Sequence, residues 1–291
     1  MLPPWLDQNE YPFIPKQFTL PMGQMSYVDE GGGEPIVMVH GNPVWSFVYR
    51  HLITGLNGRY RCIAMDHIGF GLSDKPEDWT YRPQDHAANL QTFLDALDLS
   101  GITLVVQDWG GPIGLAYAIH NPERVRRLII LNTWLWPVND DWYYRAFSGF
   151  MGGVIGRFLI RRFNFFARSV VRTAYGDKRK LTPHIHAHYL NHLPTPQSRK
   201  GSWVFPGQII GATDWLAQLW AQRAQLADKP ALLAWGMKDI AFREKELRRW
   251  IALFPKAAVT RYPDAGHYVQ DEKGPELAVL IAAFMNNSPE L

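Results

Sequence analysis

Three separated stretches of this chain carry side chains that together would supply a nucleophile, a base and an acid to support the base. The first is Thr103-Leu104-Val105-Val106-Gln107-Asp108-Trp109-Gly110-Gly111-Pro112, an apolar run that ends in an acid, a tryptophan and two glycines before a helical pattern begins. The others are Gly236-Met237-Lys238-Asp239 and Asp264-Ala265-Gly266-His267. A carboxylate can attack a saturated carbon in one in-line step and form an alkyl ester, which water then cleaves; a serine would form an ether that water could not readily open. A histidine supplies the base for that water, and a second carboxylate orients the imidazole. The plainer role for Asp108 is a helix N-cap. The strand before it and the glycines after it, where strand and helix must approach closely, favour the nucleophile.

A fourth stretch, His40-Gly41-Asn42-Pro43, places an amide at the end of another apolar run, although Asn42 would also suit a turn before proline. Asp239 and Asp264 both qualify as the supporting acid. An acid in such a turn often only caps backbone, and Asp264 lies three residues from His267. Within Asp66 to Ser73, Gly69-x-Gly71 lacks the third glycine of a nucleotide loop and reads as a structural turn. His184, His188 and His192 form an i, i+4 stripe, but no carboxylate or cysteine completes a ligand set, so no metal is expected.

The elements that must position these groups alternate between short β-rich segments and helical patterns, which predicts a mostly parallel sheet flanked by helices. Phe18–Leu20 and Met25–Val28 form an opening hairpin; 36–39, 62–65, 103–106 and 128–131 follow as core strands. After an interruption come a strand at 231–235, a helix near 244–253, a strand at 258–262 and a helix near 275–285. The interruption, 137–212, is rich in aromatics and arginines and has helical periodicity. It is expected to be a helical cap inserted into a core made of 1–136 and 213–291. Active-site groups in an open α/β sheet gather at the carboxyl ends of strands, where all four stretches fall.

The 291 residues are 47% hydrophobic, enough for a sizeable core. Thirty Lys and Arg against 27 Asp and Glu give a net charge of +3, and no basic block marks a nucleic-acid or membrane surface. The apolar stretch 147–171 is broken by Arg157, Arg161, Arg162 and Arg168, so it does not read as a membrane span. The lone Cys62 precludes an internal disulfide, and the first seven residues lack the pattern of a signal peptide; a reducing cytoplasm is the expected location.

In the order nucleophile, acid, histidine the chain is similar to the α/β-hydrolases, with aspartate where serine usually stands at the nucleophile elbow. It resembles the haloalkane dehalogenases over essentially its whole length. The matching pieces are His40-Gly41-Asn42-Pro43, Asp66 to Ser73, Val106 to Gly111, Trp203-Val204-Phe205-Pro206, Trp235 to Asp239 and Gly266-His267. The resemblance implies nucleophile Asp108, base His267, supporting acid Asp239 and halide donors Asn42 and Trp109, with Phe205, Pro206 and Tyr268 as pocket residues. The alternative acid position after 128–131 holds Asn132 and Thr133, which favours Asp239. The implied partners are a small halogenated hydrocarbon, water and the halide product, with no cofactor, nucleic acid or membrane. Epoxide hydrolases also use an aspartate elbow and need acidic tyrosines, for which Tyr143, Tyr144, Tyr175 and Tyr189 are available; Asn42 argues against that family, which usually has an aromatic there. A ligand-binding or oxygenase-like relative is the remaining alternative.

Overall fold

A computed structural model describes residues 2–287. Eight strands form one sheet: β1 (Lys16–Leu20), β2 (Gly23–Glu30), β3 (Pro35–Val39), β4 (Arg61–Met65), β5 (Ile102–Val106), β6 (Val125–Leu131), β7 (Ala231–Gly236) and β8 (Ala258–Tyr262). Their spatial order is β1-β2-β4-β3-β5-β6-β7-β8. The hairpin β1–β2 is antiparallel and joins β4 antiparallel, while every pairing from β4 through β8 is parallel. All residues of β5 and β7 are buried, as expected for strands covered on both faces by helices.

The helices are α1 (Arg50–Leu56), α2 (Pro83–Ala96), α3 (Gly110–His120), α4 (Trp142–Gly152), α5 (Val154–Phe163), α6 (Val171–Ala174), α7 (Pro183–Asn191), α8 (Lys200–Gly211), α9 (Thr213–Ala221), α10 (Glu244–Leu253), α11 (Val269–Glu272) and α12 (Gly274–Asn287). Helix α1 packs against α12, and α2 against α3. Between β6 and β7 the described chain is helical and strand-free. There α4 packs against α5 and α8, whereas α9 already touches α3 and so returns the chain to the sheet layer.

The turn Asp66 to Ser73 is a structural clamp: the Asp66 carboxylate accepts the backbone N–H groups of Ser46 and Leu72, both at 2.8 Å. Burial pushes its pKa up to about 6 against those hydrogen bonds. The three histidines of the stripe part company. His184 pairs with Asp7, His188 accepts the Asp7 N–H and stacks on Phe47, and His192 accepts the Gly71 N–H.

Candidate active site

Strand β5 delivers Asp108 by ending abruptly. Asp108 has φ +50°, a left-handed conformation that few side chains other than glycine tolerate, and its place is held by Asp108 N donating to Asn132 O at 2.9 Å and Thr133 Oγ1 donating to Asp108 O at 2.5 Å. The tight turn also requires glycines. A Cβ at Gly110 would lie 2.0 Å from Val39 O, and one at Gly41 only 2.2 Å from Asp108 Oδ1.

The end of β3 faces this carboxylate. The Asn42 backbone N–H donates to Asp108 Oδ1 at 2.7 Å. His40 latches the segment: its Nε2 accepts the His67 N–H at 2.9 Å, and burial pushes its pKa down to about 4. The Asn42 side chain is oriented from the insertion. Pro206 inside α8 has no N–H, so the Ser202 carbonyl four residues earlier lacks its helical donor; Asn42 Nδ2 donates to it at 3.4 Å. The second amide hydrogen is left for another acceptor.

Strand β7 ends in the turn that holds Asp239, which is 4% exposed. Its Oδ1 accepts the Ala241 N–H at 2.7 Å and its Oδ2 faces His267 Nδ1 at 2.9 Å. Asn132 clamps this turn, accepting the Gly236 N–H and donating to the Gly236 and Phe242 carbonyls. Asp264, by contrast, is exposed and pairs with Lys273 at 2.8 Å. With Nδ1 against a carboxylate, the proton of a neutral His267 sits on Nδ1 and Nε2 is free to accept. That Nε2 lies 3.7 Å from Asp108 Oδ2.

Burial works against a charged imidazole, but Asp239, Asp108 and Glu272 outweigh it and raise the His267 pKa above its ordinary value. Burial likewise raises the Asp108 pKa, opposed by His267 and by the backbone N–H groups of Trp109 and Asn42.

Asp108, Asn42, Trp109 and His267 open into one cavity. Its remaining wall is apolar and comes from Trp134, from the 240–242 turn, and from insertion residues including Phe147, Phe166 and Ile209. Of the pocket residues suggested by sequence, Pro206 and Tyr268 line it. Phe205 does not. It is fully buried behind Trp109, with ring centroids 5.2 Å apart, and stacks on His86. Consecutive helical residues point about 100° apart, so Phe205 and Pro206 cannot share one wall.

The family model for the alpha/beta hydrolase fold matches residues 34–274. Haloalkane dehalogenase 2 of Mycobacterium tuberculosis is 39% identical over 277 residues, covering 94% of this chain and 96% of the relative. The chain belongs to the haloalkane dehalogenase family. A cis-3-alkyl-4-alkyloxetan-2-one decarboxylase of Xanthomonas campestris pv. campestris is 36% identical over 299 residues, covering 96% of this chain and 98% of the relative. The crystal structure of the haloalkane dehalogenase DatA from Agrobacterium tumefaciens superimposes with a TM-score of 0.84 at 26% identity, over 94% of this chain and 96% of that one.

In this family member the hydroxyls of the four tyrosines weighed for epoxide opening already donate to protein acceptors, although Tyr143 and Tyr144 line the cavity. Tyr143 and Tyr144 donate to the carbonyls of Ile240 and Ala241 at 2.9 and 2.7 Å, and Tyr175 and Tyr189 both donate to Asp271 Oδ2 at 2.5 Å. Burial raises the pKa of each, the opposite of what a proton donor needs. Two buried polar residues had no signal in the sequence. Gln107 Nε2 donates to His267 Nε2 at 2.9 Å and to His267 O at 3.1 Å. Glu272 accepts the N–H groups of Gly266, Gly176 and Asp177 at 2.7, 3.1 and 2.8 Å, tying the histidine loop to the insertion. Gln107 lies within the elbow motif and Glu272 five residues after His267, and only the tertiary fold gives them partners.

Proposed function

We propose that this protein hydrolyses haloalkanes to an alcohol, a halide ion and a proton, with Asp108 as nucleophile. The observation that carries the reading is the carboxylate–imidazole–carboxylate line Asp108, His267, Asp239 at 3.7 and 2.9 Å under an apolar cavity. Asp108 attacks the halogen-bearing carbon, the carbon–oxygen bond forms as the carbon–halogen bond breaks, and the halide leaves with the electron pair. The Trp109 indole N–H and the Asn42 amide N–H stabilise it as neutral donors, which release an anion more readily than a cation would. Water then gives a proton to His267 Nε2 and attacks the Asp108 carboxyl carbon, with the backbone N–H groups of Asn42 and Trp109 as oxyanion donors. Asp239 stabilises the imidazolium. Gln107 keeps Nε2 an acceptor until water replaces its amide. Residues 137–212 act as the cap that excludes bulk water, and a cytoplasmic location fits the single thiol.

A second reading rests on the oxetan-2-one decarboxylase relatives. A β-lactone also offers a saturated ring carbon, with a carboxylate as leaving group. Asp108 attack at that carbon would open the ring, and loss of carbon dioxide would push the electron pair into an alkene and return the Asp108 carboxylate without water. A panel of bromo- and chloroalkanes, terminal epoxides and a cis-dialkyl β-lactone separates the possibilities. Bromide release with alcohol formation is expected. Carbon dioxide and alkene without bromide release from any haloalkane would select the second reading, and diol formation alone would overturn both.

A further inference from the structure

The insertion has an unusual outer face. Nine large hydrophobic residues are exposed among the described residues, and six of them, Trp142, Phe150, Val154, Ile155, Phe158 and Phe163, fall on α4 and α5. Val154 is 87% exposed, Ile155 62% and Phe158 59%. Arg157, Arg161 and Arg162 alternate with them on the same side of α5, whose buried residues are Gly156 and Ile160.

Charge sorts the same way. Residues 137–212 contain eleven of the chain's thirty Lys and Arg but only three of its 27 acids, Asp140, Asp141 and Asp177. From 142 to 176 there are six arginines, all exposed, and no acid; none of the six is in an ion pair among the described residues. The small overall net charge therefore hides a basic cap on an acidic core. Spread over many residues, these arginines formed no block in the sequence; the fold collects them.

We infer that the α4–α5 face docks on an anionic lipid bilayer, with Ile155, Phe158 and their neighbours inserted among the acyl chains near the headgroups and the arginines on lipid phosphates. Exposed apolar side chains rimmed by one sign of charge mark a binding surface, and the missing acids select an anionic partner. A second copy packed through the same face would bring arginine against arginine. The face also backs the cavity: Tyr144, Phe147, Phe166 and Val170 from the same stretch line it. A substrate partitioned into lipid would have a short way in; this point alone rests on the function proposed above. The protein needs no spanning segment for this, and no described helix is long and apolar enough to cross a membrane.

Flotation of the full chain with vesicles of phosphatidylcholine, alone or mixed equally with phosphatidylglycerol, tests the inference. The protein should float with the anionic vesicles at low salt, and far less with phosphatidylcholine alone or at high salt. The double variant R161Q/R162Q should lower the partition coefficient roughly 30-fold. The variant I155S/F158S should also lose binding while still releasing halide from a water-soluble bromoalcohol, which separates this surface from the active site. Wild-type protein that stays at the bottom of the gradient overturns the inference, as does flotation unchanged by both variants. Self-association abolished by I155S/F158S, or capture by polyglutamate, without vesicle binding would assign the face to a second copy or an acidic protein instead.

Discussion

The imidazole of His267 stands between two carboxylates of unequal duty. Asp239 bonds the protonated nitrogen and Asp108 faces the unprotonated one, while Asp264 pairs with Lys273. Asp239→Asn should therefore reduce turnover by roughly 10²- to 10⁴-fold, and Asp264→Asn should leave it at the wild-type level; steady-state halide release checks both. The pH dependence carries a sign. His267 must be neutral to take a proton from water, so hydrolysis falls as pH drops through its raised pKa. Removing the Asp239 anion lowers that pKa, so the acid limb of the residual activity should move to lower pH. A limb that stays put would detach Asp239 from the imidazole. Losing the Asn42 side chain should cost about 10²-fold in halide release, the scale of one preorganised donor. From the residues alone Asp264 competes with Asp239, because both follow a strand; it is the family resemblance that favours Asp239. Burial and a single distance choose.

At the scale of elements, the strand ends were legible because β3, β5 and β7 are covered on both faces and so read as apolar runs that stop where chemistry begins. What supports those ends was not legible. In the sequence Asn132 marks only the absence of an acid, yet it clamps the β7 turn that carries Asp239. The family resemblance puts Phe205 in the pocket wall, but it backs Trp109 instead, a difference that depends on the rotation of α8. Glu272 fixes the loop of His267 through three backbone N–H groups and is a positioning residue. Glu272→Gln would turn an amide toward one of those donors and lose at least one buried hydrogen bond, a cost of about 1–3 kcal/mol. Hydrolysis of the ester should slow more than its formation, seen as a larger pre-steady-state halide burst relative to turnover. Equal slowing of both steps would reduce Glu272 to a general stabiliser.

For the whole molecule, sheet and insertion divide the work. The turns after β5, β7 and β8 hold Asp108, Asp239 and His267, and residues of the insertion form much of the cavity wall above them. Substrate length should follow the insertion. Ile209→Ala enlarges the wall from α8, and the ratio of kcat/KM for a long bromoalkane over a short one should rise by about 10-fold or more, since a methylene in an apolar pocket is worth about 1–3 kcal/mol. An unchanged ratio would place chain-length selection elsewhere. Alternation of apolar runs with helical patterns was enough to read a mostly parallel sheet flanked by helices; the spatial order, in which β4 lies between β2 and β3, was not readable from it. Nor was the division of charge between a basic cap and an acidic core, because it appears only when the insertion is separated from the sheet.

The most direct measurement is made on His267→Phe, which keeps the proposed nucleophile and removes the proposed base. Mixed with excess 1-bromobutane, this variant should release one bromide per protein and stop, and mass spectrometry should find one butyl group on the peptide containing Asp108. Continued release at the wild-type rate, or one equivalent of bromide with Asp108 unmodified, would contradict a carboxylate nucleophile whose ester is opened by water activated at His267.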